Sequence, residues 1–82
     1  MREIEVKSVI IKELENLGII VDEREEDIDL LSIGMDSISF ISFIVALEEK
    51  FEIQFPDEYL TMEVMTSLNG FTSLIYSWLS NH

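Results

Sequence analysis

Apolar residues recur three and four positions apart in three separate stretches of this chain, and that spacing commits it to packed helices. Between residues 3 and 17 the recurring positions are Val6, Val9, Ile10, Leu14 and Leu17, with Glu3, Glu5, Lys7, Lys12, Glu13 and Glu15 filling most of the others. A second stretch runs from 37 to 51. A third runs from 67 to 79, with Leu68, Phe71, Leu74, Ile75, Trp78 and Leu79 as its apolar face. The β-branched run Ile19-Ile20-Val21 has no second run to pair with, so it reads as an extended loop packed on the core. Gly18 is placed to cap the first helix, and Thr66 or Ser67 to cap the last. Gly70, inside the last helical pattern, is expected to weaken its first turn by about 1 kcal/mol relative to Ala. Pro56-Asp57 predicts a short helix over 57–62. The expected fold is an all-α, four-helix bundle: three main helices, one short helix, and a long loop over 19–35 between the first two.

With 82 residues the chain is read as a single domain, 1–82, which buries roughly 60–65% of its unfolded surface. Seventeen acids against five bases give a net charge of −12. Such a surface repels phosphates and anionic lipid, so neither nucleic acid nor a membrane is expected as a partner; a protein with a basic patch is. The chain has no Cys, which excludes thiolate catalysis and zinc–cysteine sites, and its one His is the terminal His82. A His-centred catalytic constellation is therefore not expected. No signal peptide is evident. The longest nearly apolar run, Ile38 to Leu47, spans ten residues, against the ~20 that cross a bilayer. A cytoplasmic protein is expected.

The run Asp22 to Asp29 holds six acids and one Arg. A calcium loop fails there: it lacks the turn glycine, and Ile28, Leu30 and Leu31 interrupt the ligand positions. A solvated acidic loop is the reading, with Leu30, Leu31 and Ile33 expected to pin it to the core.

The stretch 37–51 carries two apolar stripes when its residues are placed at 100° steps. Phe40, Phe43, Ile44, Leu47 and Phe51 form one, with the bulk of a core face. Ile38, Ile41 and Val45 form the other, nearly opposite, which must be exposed or covered by something else. Just before it lies Ile33-Gly34-Met35-Asp36-Ser37-Ile38. Gly34 permits a sharp turn, and Ser37 falls where unpaired backbone N–H groups and the positive end of the helix dipole meet. A phosphate ester on the Ser37 hydroxyl would be favoured there, and Asp36 could hold a magnesium ion during its transfer. The plain alternative is that Asp36 or Ser37 is an N-cap and nothing more. A catalytic serine is the weakest reading, since no base and no Gly-x-Ser-x-Gly elbow accompany it.

Gly34-Met35-Asp36-Ser37-Ile38 resembles the Gly-x-Asp-Ser-Leu signature of acyl and peptidyl carrier proteins. Ala46-Leu47-Glu48-Glu49-Lys50-Phe51 resembles that family's Ala-Leu-Glu-Glu-x-Phe at the same offset from the serine. Phe55-Pro56-Asp57 is similar to its Ile-Pro-Asp, and Thr66 onward to the start of its last helix. The resemblance spans residues 4 to 79. It implies a free-standing carrier with 4′-phosphopantetheine on Ser37, derived from coenzyme A, and Asp36 assisting the modification with transient Mg2+. The cargo would ride as a thioester, and the chain itself would not be an enzyme, because the cofactor supplies the reactive group and partners the chemistry. Those partners would be a phosphopantetheinyl transferase, then loading enzymes (adenylating or acyltransferase) and acceptors (ketosynthase or condensation enzymes). The expected docking face is Met35, Ile38, Ile41, Ser42, Val45, Glu48 and Glu49, an apolar patch in an acidic frame. Scattered surface hydrophobics are the bland alternative. No resident metal is implied, and a monomer is expected, because self-association would hide that face.

Helix two departs from the fatty-acid pattern. Ser39 and Ser42 stand where acids are usual after the serine, and residues 37–50 net only −1 (Glu48, Glu49, Lys50). Phe40 and Phe43 would fill the space into which a long acyl chain tucks. Polyketide or nonribosomal-peptide assembly is the favoured context. A fatty-acid carrier is the close rival and a D-alanine carrier a third option. An unmodified acidic helical interaction module is the alternative of another class.

Overall fold

Helix α1 spans Glu3–Asn16. Its start is fixed by Glu5, whose carboxylate accepts the Arg2 backbone N–H at 3.0 Å. Its end is a Schellman turn: Gly18, at φ +85°, donates to the Glu15 carbonyl at 2.9 Å, and Ile19 donates to Leu14 at 2.9 Å. Only a glycine takes that backbone conformation without strain. Ile19 and Leu14, the residues that this turn brings together, are both buried.

The computed structural model describes residues 1–56, 58 and 60–81. Beyond α1 it contains α2, Ser37–Phe51, and α3, Leu68–Ser80, with 3-10 segments at Leu30–Ile33 and Met62–Thr66. No strand occurs among the described residues. The short helix expected over 57–62 falls on Asp57 and Tyr59, which lie outside the described residues, as does His82. No helix among the described residues is long and apolar enough to cross a membrane.

The core follows the three helical stripes. Helix α1 packs against both α2 and α3. It contributes Val6, Ile10, Ile11 and Leu14; α2 contributes Phe40, Phe43, Ile44 and Leu47; α3 contributes Leu68, Phe71 and Ile75. Phe43 and Phe71 meet at 5.5 Å between ring centroids, joining α2 to α3. Each such side chain stabilises the fold by roughly 1.5–3 kcal/mol when fully buried. Glu13, also buried, reaches Lys50 of α2 at 4.0 Å.

Within residues 17–36 the chain is anchored at Ile19, Val21, Ile28, Leu30 and Met35, and residues 22–27 and 31–34 are exposed. Ile19 and Val21 are buried and Ile20 between them is exposed. Of the three residues expected to anchor the acidic loop, Leu30 is fully buried, but Leu31 and Ile33 are 38% and 39% exposed. Ile28 and Met35, on either side of the 3-10 turn, take inward positions instead.

Candidate functional site

The 3-10 segment Leu30–Ile33 ends on Gly34 at φ +120°. That left-handed step lets Met35 turn back and donate to the Leu30 carbonyl at 3.1 Å. The chain therefore enters α2 from a fixed direction. Asp36 then takes the N-cap, its Oδ1 accepting the Ser39 backbone N–H at 2.8 Å. The bond to Ser39 N–H, reinforced by the Ser39 hydroxyl, holds the Asp36 carboxyl below the usual carboxylate range, so it is ionised at neutral pH.

With Asp36 as the cap, Ser37 becomes the first helical residue. It is exposed, and its hydroxyl makes no hydrogen bond to any described residue. Its oxygen stands beside the positive end of the α2 dipole. Capping and availability, which the sequence left as competing readings of this pair, are thus divided between two adjacent residues.

The chain matches the family model described as "Phosphopantetheine attachment site" over residues 10–75, which takes in the end of α1, the acidic loop, α2 and most of α3. The chain belongs to this family. It is also 38% identical over 55 residues to an acyl carrier protein of Sulfurovum sp. (strain NBC37-1), a match covering 66% of this chain and 69% of that protein. Family members carry a covalently bound phosphopantetheine group.

Along α2 from Ser37, this family member exposes Ile38 (77%), Ile41 (65%) and Val45 (48%) on one side. Ser42 and Glu49 are exposed alongside them. An open cleft of about 300 Å³ borders that side, lined by Phe40, Ile41, Ile44, Val45, Glu48 and Leu60. Two members of the expected docking set behave differently. Met35 is only 4% exposed and belongs to the core, because the Gly34 turn folds it inward. Glu48 is half-buried, and its Oε2 accepts the Phe55 N–H at 2.9 Å, so it also ties down the segment after α2.

The acidic loop is not merely solvated. Asp27 Oδ1 accepts the Asn69 N–H at 2.9 Å and the Ile28 N–H at 2.8 Å, and Oδ2 accepts the Ser67 hydroxyl. Leu68 N–H donates to the Ile28 carbonyl at 2.8 Å, and Asn69 Nδ2 to the Glu26 carbonyl at 2.6 Å. Lys7 Nζ completes the cluster by donating to Asn69 Oδ1 at 2.8 Å. The loop is thereby clamped to the first turn of α3, which Lys7 in turn ties to α1. The Asn69 N–H, then the Ser67 hydroxyl, hold the Asp27 carboxyl below its usual range. These partners are some 40 residues apart in sequence, and no local pattern announces them.

Proposed function

We propose that Ser37 is the attachment point of 4′-phosphopantetheine and that the chain carries an acyl or aminoacyl group from a loading enzyme to an acceptor. The observation that carries this reading is the Ser37 hydroxyl itself: exposed, without a partner among the described residues, and at the first position of a helix inside the family match. When bound, the group supplies a thiol that holds the cargo as a thioester. The rest of the work belongs to the chain. Asp36 fixes the start of α2, which places Ser37 at its first helical position, and its ionised carboxylate holds Mg2+ transiently during modification. The helix dipole and the first-turn N–H groups favour a phosphodiester at that oxygen.

Ile38, Ile41 and Val45, with Ser42, Glu48 and Glu49 around them, form the face read by the phosphopantetheinyl transferase and by loading and acceptor enzymes. Contacts there are weak and brief, because a carrier leaves each partner to meet the next. The chain acts as a cytoplasmic, monomeric shuttle and not as an enzyme.

Polyketide or nonribosomal-peptide assembly is the context we favour over fatty-acid synthesis. Two features support it. The fully buried Phe43, packed on Phe71, occupies the space between α2 and α3. The first three turns of α2 carry hydroxyls and no acid, which suits a dedicated partner over a generic basic one.

The test is intact mass after incubation with coenzyme A, Mg2+ and a broad-specificity phosphopantetheinyl transferase. One added phosphopantetheinyl group is expected on the parent and none on Ser37→Ala. An unmodified parent that keeps its helical circular dichroism would turn the assignment toward an acidic interaction module.

A further inference from the structure

Away from α2, the acidic loop, α1 and the start of α3 enclose a cleft of about 180 Å³. Its apolar lining comes from Ile11, Val21, Ile28 and Leu68, buried, and from Ile4, which is 65% exposed at its edge. Glu23, Glu25 and Asp27 bring carboxylates to the same cleft, with Lys7 as its one cation. The charges are not equivalent. Asp27 is spent on the α3 cap and Lys7 on Asn69. Arg24, the loop's only base, is held by its neighbour Asp22 at 3.0 Å. The carboxylates of Glu23 and Glu25 have no partner among the described residues. No group of three or more carboxylates among the described residues is arranged to hold a metal ion.

We infer that this cleft is a second contact surface, which takes a basic segment of a partner protein by inserting a Lys or Arg side chain. The aliphatic stem of such a residue matches the apolar floor and the edge made by Ile4, and its charged head would reach Glu23 and Glu25. A single Lys or Arg side chain suits a cleft of about 180 Å³, whereas a helix does not fit one. The clamp from Asp27, Ser67, Asn69 and Leu68 holds the rim in place before any partner arrives, which lowers the ordering cost of binding. The surface also resolves the charge distribution of the chain. The start of α2 is poor in acids, while residues 22–29 net −5, from six acids and one Arg. Approach is thus steered at one place and specificity read at another. The inference does not require Ser37 to be modified.

The experiment is a titration of the 15N-labelled chain with a synthetic peptide, acetyl-Leu-Lys-Leu-Arg-Leu-amide, followed by amide chemical shifts. Saturable shifts centred on Ile4, Lys7, Ser8, Glu23 and Glu25 are expected. They should weaken about tenfold or more in the Glu23→Gln/Glu25→Gln double variant and in 0.5 M NaCl, as for a charge-steered contact. Ile4→Gln, a change at an exposed position that leaves the core alone, should weaken binding with the salt dependence preserved. A control peptide with Gln for Lys and Arg should not bind. Shifts spread equally over Glu48, Glu49 and Glu52, or binding indifferent to Glu23→Gln/Glu25→Gln in a chain that keeps its spectrum, would overturn the inference. Repeating the titration on Ser37→Ala separates the two assignments: the cleft should bind the peptide unchanged.

Discussion

Two helices of this protein have a serine at their start and an aspartate bonded there, Asp36 from the chain itself at α2 and Asp27 from the acidic loop at α3, and they use the pair in opposite ways. At α3, Ser67 is the cap: its hydroxyl accepts the Gly70 N–H at 2.9 Å and donates to Asp27. At α2, Asp36 is the cap, and Ser37, one position further in, keeps a hydroxyl that no described residue engages. One hydroxyl is structural and the other is available, although both are serines at the start of a helix. The deciding variable is register against the cap. A carboxylate at the cap position takes over the orphan N–H of the first turn, and the serine that follows is freed.

The comparison breaks most visibly at α3. Ser67→Ala removes an N-cap, which costs about 1–2 kcal/mol. It also leaves an Asp27 oxygen without its donor. A fall in melting temperature of at least about 4–8 °C is expected in thermal unfolding, with faster amide exchange in residues 24–29. Ser37→Ala should stay within about 0.5 kcal/mol of the parent in the same assay.

Acid comes next. Asp27 and Asp36 both have carboxyls lowered in the folded chain. Each therefore contributes stability that is fully present above the unfolded value near ~4 and is lost as pH falls through the lowered folded value. Melting temperature should be flat near neutrality and fall below about pH 4. Asp27→Asn should lower the plateau and shrink that acid-dependent fall. A variant that titrates like the parent would remove Asp27 from the account.

The smallest effect sharpens the comparison at Gly70. A Cβ there would lie 3.2 Å from Ser67 Oγ. Gly70→Ala gains about 1 kcal/mol of helix propensity but crowds the cap, so a net change near zero is expected. In the Ser67→Ala background the crowding is gone, and the same substitution should stabilise by up to about 1 kcal/mol. Additivity of the two would show that the cap is not what keeps a glycine there.

The helices and their faces were legible because they depend on local spacing. The expected ranges 3–17, 37–51 and 67–79 differ from the observed ones by a residue or so at the ends. The exposed stripe Ile38, Ile41 and Val45 was legible for the same reason, since no other stripe on α2 could face the core. The connection between α1 and α2 was not. Met35 looked like part of the docking face and is buried; Leu31 and Ile33 looked buried and are more than a third exposed. The left-handed Gly34 folds Met35 inward, and the short 3-10 segment before it has no periodic signature in four residues from which to read its faces. Asp27 was hidden among acids of the same loop because its partners are on α3. Gly70 looked like a defect, and a Cβ there would come within 3.2 Å of the Ser67 hydroxyl oxygen.

The central claim is that the Ser37 hydroxyl is available for modification and the Ser67 hydroxyl is not. The direct test treats the parent, Ser37→Ala and Ser67→Ala with coenzyme A, Mg2+ and the transferase at a temperature where all three are folded, then locates the added group by peptide fragmentation. The account predicts one phosphopantetheinyl group on the peptide containing Ser37 in the parent and in Ser67→Ala, and none in Ser37→Ala. A group found on any other residue, or retained in Ser37→Ala, would contradict it.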